Sequence, residues 1–264
     1  MAVITLTTDF GTRDSYVAVM KGVILGINPS VRLVDITHEI APQQVREAAF
    51  VLLSAYRWFP SGTVHLVVVD PGVGGKRNPI IVETDKYLFV GPDNGVFSFV
   101  YEKEEEFRVF KISNTRFLLP EVSDTFHGRD IFAPAAAHLS KGTPPHGLGE
   151  PINRYVRFPF TGPETNGNIL EGEVIHIDRF GNLVTTISEE TLKGFMGRDR
   201  GRFQLIIKDR VLNRMCRTYS DVPQGELSAV IGSSGFLEVS ANRASAAEIL
   251  SCRLGETVRI RRSP

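Results

Sequence analysis

Three loops in the first half of the chain carry side chains that could do chemistry. Asp9 ends an apolar segment, a glycine-rich loop runs from Asp70 to Arg77, and His127 stands beside Gly128 ahead of an alanine-rich segment. A carboxylate could accept the two hydroxyls of a ribose diol, and a histidine could act as a general base. The alternatives are an Asx turn or helix cap at Asp9, a salt bridge that closes the 70–77 loop, and a partly exposed loop histidine.

Other sequence features limit which ligands the first half of the chain could bind. Asp14 is spaced as the N-cap of a helix over 15–27, which favours a capping role. The 70–77 loop lacks both the Gly-Lys-Ser/Thr of a phosphate loop and the GxGxxG of a dinucleotide loop, so a phosphate site is weakly supported. The other histidines show no metal-ligand spacing, and we assign no metal. They are His38, His65, His138, His146 and His176.

Two short segments of the second half have turn composition and polar side chains. In the first, Phe180 stands between Asp178 and Asn182, which would offer a heterocycle one face and two polar edges. In the second, Ser233 lies in Gly232-Ser233-Ser234-Gly235, where backbone N–H groups and hydroxyls could bind a carboxylate. Without other information, a plain turn is the simpler interpretation of both.

The elements that would position these residues alternate in the first half. Apolar strand-like runs at 3–8, 31–36 and 65–70 alternate with helical patterns over 15–27, which ends at Asn28-Pro29, and over 43–58. This rhythm predicts a mainly parallel sheet with helices on both sides, and ligands bind at the carboxyl ends of such strands. Three acids lie there, namely Asp9, Asp35 and Asp70.

Further along, a hairpin is expected from strands 80–84 and 87–90, and a solvated loop from Glu102 to Glu106. A helix is predicted over 130–140, perturbed by Pro134. The composition of 142–153 indicates a linker. From about residue 168, short alternating segments predict an antiparallel barrel or sandwich. The fold class is therefore α/β followed by a C-terminal antiparallel barrel or sandwich, divided into an α/β domain at 1–160 and a second domain at 161–264.

Composition excludes several classes of protein. The 264 residues carry 30 Lys+Arg and 30 Asp+Glu, and this zero net charge disfavours a nucleic-acid partner. No apolar run approaches the roughly 18 residues of a membrane span, and the N-terminus lacks a basic signal-peptide region. We therefore expect a soluble cytoplasmic protein, in which Cys216 and Cys252 are two free thiols rather than a disulfide.

Taken together, six segments resemble the S-adenosyl-L-methionine hydroxide adenosyltransferases, the hydrolytic relatives of fluorinases and chlorinases. The resemblance covers essentially the whole chain in order, and it rests on TDFGTRD (8–14), VVVDPGVGGKR (67–77), FVGPDNG (89–95), DTFHGRDIFAPAAAHLS (124–140), HIDRFGNLVTTI (176–187) and GSSGFLEVSANRASAA (232–247). It implies an α/β domain plus a β-barrel, and a homotrimer that binds S-adenosylmethionine between the N-terminal domain of one subunit and the C-terminal domain of the next.

The resemblance also implies roles for individual residues. Asp70, Arg77 and His127 match the set that positions and activates water or hydroxide, which attacks the ribose C5′ of S-adenosylmethionine to give adenosine and methionine. No cofactor is implied. The matching substrate-binding residues are Asp9 for the ribose diol, Asp14, Asp178 and Ser233 for the methionine end, Phe180 and Asn182 for adenine, and Arg243 in a segment whose backbone also approaches adenine.

Departures from the halogenases favour a hydrolase. The halogenases carry an aromatic residue at Asp70, a serine at Gly128 and, in the fluorinase, a tryptophan at Gln43 and an arginine at Ser234. A carboxylate about 4 Å from a halide would repel it by about 4 kcal/mol at an effective dielectric of 20. The alternatives are a halide-using adenosyl transferase or a hydrolase of another adenosyl compound, a non-catalytic adenosine or S-adenosylmethionine-binding module, and a metal-dependent phosphoesterase that uses Asp9, Asp14 and His127.

Overall fold

The computed structural model describes residues 2–158, 162–197 and 203–262. The chain divides into two compact units, Met1–Pro159 and Phe160–Pro264. The predicted boundary lies between residues 160 and 161. Residues 159–161 are outside the described residues, so the domain limits stay a prediction.

The first unit is built on a six-stranded sheet. Its strands are β1 (Val3–Thr8), β2 (Arg32–Thr37), β3 (Val64–Val68), β4 (Pro79–Thr84), β5 (Leu88–Pro92) and β6 (Phe107–Lys111), in the order β2-β1-β3-β5-β4-β6. The β2-β1, β1-β3 and β3-β5 pairs are parallel, whereas β4 is antiparallel to both of its neighbours. Within this sheet β4 therefore runs against the other strands, which confirms a mainly parallel sheet and the β4–β5 hairpin.

Helices cover both faces of this sheet. They are α1 (Tyr16–Ile27), α2 (Val45–Ala55), α3 (Ser98–Lys103), α4 (Ala133–Ser140) and α5 (Pro145–Leu148). Met20 of α1 packs with Leu66 in one apolar core, while Leu52 of α2 packs with Val67 in another. Because successive side chains of a strand point to opposite faces, β3 contributes to both cores. This explains its unbroken apolar sequence.

The helix predicted over 130–140 with a perturbation at Pro134 is present, since a π-helix at Gly128–Phe132 leads directly into α4, of which Pro134 is the second residue. Two other expectations for the first unit were wrong. The 142–153 segment is not a linker, since it contains α5 and lies along β6, with a hydrogen bond of 2.9 Å from Lys111 N to Glu150 O. The expected loop at 102–106 begins inside α3, which ends at Lys103.

The described residues of the second unit form an antiparallel, barrel-like sheet with two short α-helices. Its strands are β7 (Glu164–Asn166), β8 (Ile169–Ile177), β9 (Leu183–Ser188), β10 (Phe203–Ile207), β11 (Arg210–Leu212), β12 (Leu227–Ile231), β13 (Phe236–Ala241) and β14 (Thr257–Arg262), and its helices are α6 (Glu189–Met196) and α7 (Ala246–Leu250). The order is β11-β10-β14-β8-β9-β13-β12, with β7 beside β8. A bridge between Met215 and Ala229 joins the chain after β11 to β12. The barrel alternative is therefore confirmed over the sandwich.

The barrel encloses its own apolar core, which includes Leu170, Leu205 and Leu237. Cys216 and Cys252 are buried and unpaired, as expected. In the described ranges, no helix combines the length and the apolar character that crossing a membrane would require.

Candidate functional site

The loops that carry Asp9 and Asp70 leave the same edge of the sheet. Thr8, the last residue of β1, is paired with Val68, the last residue of β3, in a parallel register. Asp9 and the loop that starts near Asp70 therefore follow neighbouring strand ends. This edge is the place where open parallel sheets bind their ligands.

Arg77 connects two of the predicted catalytic side chains. Its Nε donates to the two carboxylate oxygens of Asp70 at 3.1 and 3.0 Å, and its Nη2 donates to Asp70 Oδ2 and, at 2.6 Å, to Nδ1 of His127. The side chains of Arg77 and Asp70 are only 10% and 5% exposed. The structure thus brings Asp70, Arg77 and His127 together, as the sequence predicted.

The Arg77 contact determines the protonation of His127. A guanidinium has only hydrogen-bond donors, so Nδ1 must be the acceptor and carry no proton. Burial lowers the pKa of His127, and the positive charge of Arg77 lowers it further against the opposing effect of nearby carboxylates. His127 is therefore a neutral imidazole whose hydrogen is on Nε2, where it can donate to a ligand.

Asp70 would repel a halide less strongly than the sequence predicted. Its carboxylate is neutralised by the Arg77 guanidinium in a largely buried ion pair, so it does not act as an isolated charge. The repulsion of about 4 kcal/mol expected from a lone carboxylate therefore overstates how strongly this pair would exclude a halide.

Close packing of two loops places His127. Gly74 has φ +73°, and a Cβ there would lie 2.2 Å from the carbonyl oxygen of Asp124, so only glycine allows the 70–77 loop to touch the segment before His127. Buried Asp130 anchors the same segment, since it accepts hydrogen bonds from the backbone N and the hydroxyl of Ser123 at 2.9 and 2.8 Å. Burial raises the pKa of Asp130, but hydrogen bonds from Arg129 and Ser123 outweigh it and lower that pKa overall.

Asp9 is partly buried beside this segment. One of its carboxylate oxygens accepts a hydrogen bond of 2.9 Å from Gln43 N, and Gln43 adopts φ +68°. The rings of Phe10 and Phe126, which are the neighbours of Asp9 and His127, lie 5.9 Å apart. The Asp9 loop therefore packs beside the segment that carries His127.

Asp14 and Asp35 do not join this group by any contact in the described residues. The N-cap position of α1 is occupied by Ser15, which makes no side-chain capping bond, so the capping role predicted for Asp14 was wrong. Asp14 is exposed. Asp35 is paired with Lys21 at 2.6 Å and with His38 at 3.0 Å, which gives it a structural role.

In the second unit, Asp178 organises its own turn. Its Oδ1 accepts hydrogen bonds of 2.9 Å from the backbone N of Phe180 and of Asn182, and its Oδ2 accepts 2.8 Å from Asn182 Nδ2. Gly181 has φ +80°, and a Cβ there would lie 2.1 Å from Ser245 Oγ, which fixes the turn against the start of α7. The turn interpretation is therefore correct for Asp178, and the same turn leaves Phe180 75% exposed.

An open cavity of about 460 Å³ lies against this turn. It is lined by Phe180, Asn182, Tyr219, Ala241, Arg243 and Ala244. Three residues predicted to bind adenine thus share one cavity, and two exposed aromatic rings supply flat surfaces for a heterocycle. Arg243 has φ +53°, a conformation that turns the chain sharply between Ala241 and Ala244.

Ser233 lies outside the lining of that cavity. It is exposed in a tight turn closed by a 2.9 Å hydrogen bond from Gly235 N to Gly232 O. Among the described residues, no three His, Cys, Asp or Glu side chains are grouped as metal ligands.

Sequence reasoning missed two residues of this unit. Tyr219 begins a 3-10 helix of three residues, Tyr219–Asp221, which is too short to show a periodic apolar pattern. Glu238 stands in a strand, where a charged residue ordinarily faces solvent. Glu238 is instead 6% exposed and accepts a hydrogen bond from Tyr219. No local pattern distinguishes it from a solvent-facing residue.

Comparison with known proteins covers both units. The sequence profile of the SAM hydroxide adenosyltransferase N-terminal domain matches residues 4–149, and that of the C-terminal domain matches residues 172–259. A curated (R)-S-adenosyl-L-methionine hydrolase of Thermus thermophilus is 40% identical, over 96% of this chain and 97% of its own. One of Methanocaldococcus jannaschii is 37% identical, over 94% and 92%. A fluorinase of an Actinoplanes species is 29% identical, over 98% and 97%.

Solved structures agree with this similarity. A conserved Thermotoga maritima protein described as uncharacterized superposes with a TM-score of 0.92 at 37% identity, over 99% of this chain and 100% of its own. The two profiles together span most of the chain, and relatives well above 30% identity match nearly its full length. The chain belongs to the SAM hydroxide adenosyltransferase family.

Proposed function

We propose that this enzyme hydrolyses S-adenosyl-L-methionine to adenosine and L-methionine, by attack of a water-derived oxygen on C5′ of the ribose. The hydrogen-bonded set of Asp70, Arg77 and His127 is the observation that carries this proposal. The names of the curated relatives support it. Because those names specify the R form, we propose that the R epimer at the sulfonium is the preferred substrate.

The reaction balances without a redox partner or a cofactor. The water oxygen forms a bond to C5′ as the C5′–sulfur bond breaks, and that electron pair stays on sulfur in the neutral thioether of methionine. One proton is released to solvent. Since the pKa of water is about 15.7, roughly 9 units above that of ordinary histidine, His127 cannot make free hydroxide at rest.

The three side chains therefore act by orientation and charge. The Nε2–H of His127 donates to the attacking oxygen and orients it towards C5′. The guanidinium of Arg77 and the sulfonium of the substrate stabilise the negative charge that develops as the proton leaves. Asp70 fixes the guanidinium through both carboxylate oxygens, which keeps Arg77 pointing at His127.

Substrate binding is assigned to residues of both units. Asp9 holds the ribose diol, while Phe180, Asn182 and Arg243 bind adenine in the open cavity. Asp14, Asp178 and Ser233 act at the methionine end. The hydrogen bonds that Asp178 accepts from its own turn suggest that it acts there chiefly by shaping the turn and by its charge.

The test is a product assay with purified R and S epimers in 18O-labelled water containing chloride, followed by mass spectrometry. Hydrolysis predicts 18O in adenosine and none in methionine, with faster turnover of the R epimer. A chloride-dependent 5′-halo nucleoside would identify a halide-using transferase. Adenosine binding without turnover would identify a binding module.

Two further experiments test expectations about metal and location. Turnover that is unchanged after chelator treatment would support the proposal that the enzyme needs no metal. Cell fractionation would test the proposal that the protein is cytoplasmic.

The proposed assembly is a homotrimer in which each substrate is bound by the first unit of one subunit and the second unit of the next. Light scattering measures the mass. Mixing Asp70→Asn with Asn182→Ala subunits tests how sites are shared, because random exchange would restore about one quarter of wild-type activity. Mixed trimers with no restored activity would place all binding residues of a site on one chain.

A further inference from the structure

Glu238 is a buried acidic residue for which the proposed function has no role. It lies in β13 between two residues of the barrel core, Leu237 and Val239, so its side chain points to the opposite, outer face. Its neighbours in the sheet are Val184 and Val230. An apolar side chain here would avoid the cost of burying a carboxylate, so stability alone does not explain glutamate at this position.

Two contacts use the carboxylate of Glu238. The hydroxyl of Tyr219 donates to Oε2 at 3.0 Å. Burial and the nearby carboxylates raise the pKa of Tyr219 to about 12, so the hydroxyl keeps its proton at neutral pH. A Cβ on Gly232 would lie 1.7 Å from Oε1, which shows that the carboxylate rests directly against the backbone before Ser233.

We propose that Glu238 is a positioning residue for substrate binding, an inference that rests on the proposed function. Its carboxylate fixes Tyr219 as a second aromatic wall of the cavity that Phe180 also lines. It also keeps the 232–235 turn at a fixed distance from that wall. Glu238 therefore sets the spacing between the adenine side and the methionine side of the site without touching the reacting atoms.

The first test separates affinity from turnover. Glu238→Leu removes the acceptor, and we expect it to raise the adenosine Kd and the KM for S-adenosylmethionine roughly tenfold, the value of one hydrogen bond to a charged group, with kcat nearly unchanged. Tyr219→Phe should give the same loss, and the double variant should lose no more. Glu238→Gln keeps an acceptor oxygen and should restore affinity to within about twofold.

A second variant tests the same link without changing Glu238 itself. Gly232→Ala forces the flexible carboxylate to move, which should break the Tyr219 bond and raise the adenosine Kd. In a Glu238→Ala background the same alanine has no carboxylate to displace and should add nothing. This pair keeps the proposal testable if Glu238→Leu does not fold.

The outcomes are distinct. Unchanged Kd and KM in a folded Glu238→Leu variant, or a lower melting temperature as its only defect, would overturn the positioning role. A loss in Glu238→Leu that Tyr219→Phe does not share would overturn the link through the hydroxyl. Wild-type protein that binds adenosine but releases no methionine would refute the hydrolase, while the adenosine Kd values would still test Glu238.

Discussion

At the scale of single residues, the hydrogen bonds of Arg77 decide what its neighbours can do. It donates to both oxygens of Asp70 and to His127 Nδ1, so it orients an acid and a histidine at once. Its guanidinium also lies 5.3 Å from the ring centre of Phe132. A planar fork with several donors is needed for this combination, which a lysine ammonium cannot reproduce.

Arg77→Lys should therefore lower kcat about 100-fold, the typical loss for one stabilising donor in an active site. The charge remains, but one ammonium cannot hold Asp70 bidentately and also reach His127. Steady-state kinetics measures the effect. Arg108→Lys is the matched control, because Arg108 pairs with Glu83 while 71% exposed, and it should leave kcat unchanged. If Arg77→Lys and Arg108→Lys had the same kcat, the planar guanidinium of Arg77 would not be needed for activity.

The lowered pKa of His127 predicts a pH profile. Protonation of His127 at Nδ1 would break its bond from Arg77, so kcat/KM should stay constant down to the ordinary histidine value of 6.5 and fall only below it. The unfolded chain binds this proton more readily than the folded one, so stability also falls as pH drops below that value. A pH–rate profile with a midpoint at or above 6.5 would contradict this assignment. Asp9→Asn should keep the wild-type midpoint.

At the scale of elements, the site depends on segments that meet without room for side chains. The 70–77 loop reaches the segment before His127 only because Gly74 has no Cβ. The π-helix at Gly128–Phe132 then carries the chain from His127 into α4. The close approach at Gly74 and the π-helix therefore hold His127 from both sides of its position in the chain.

Gly74→Ala should lower both stability and kcat. Alanine at φ +73° costs about 1 kcal/mol of backbone strain, and its Cβ would also collide with Asp124 O. Gly62→Ala is the control, because Gly62 has φ +84° with nothing within 4 Å, and it should show the strain alone. Urea unfolding and kinetics compare the two. Similar kcat values would show that the loop contact does not position His127.

Most helices and strands could be predicted because the residue patterns that mark them lie within or next to each element. The helix ended by Asn28-Pro29, the buried strand β3 and the β4–β5 hairpin all follow from periodicity and turn residues. The errors at 142–153 and at Asp14 have a different origin. Gly and Pro gave 142–153 the composition of a linker, but hydrogen bonds to β6 order this segment. The N-cap of α1 is Ser15, one residue after the predicted Asp14.

At the scale of the whole molecule, each unit depends on its own core. Leu66 is fully buried in the central strand β3, so Leu66→Ala should lower the free energy of unfolding by about 3 kcal/mol. Val34→Ala on the edge strand β2, where Val34 is 38% exposed, should cost less than about 0.5 kcal/mol. Chemical denaturation measures both, and equal losses would contradict the placement of the core.

The sequence by itself determined the alternation of strands and helices in the first half, the short antiparallel strands of the second half, and the types of residue that could act on a nucleoside. Those features depend on neighbours along the chain. The tertiary structure decided that His127 Nδ1 accepts from Arg77, 50 positions away, and that Tyr219 bonds to Glu238, 19 positions away. The physical reason is that such contacts depend on strand order, register and close backbone packing, which no local pattern of residues specifies.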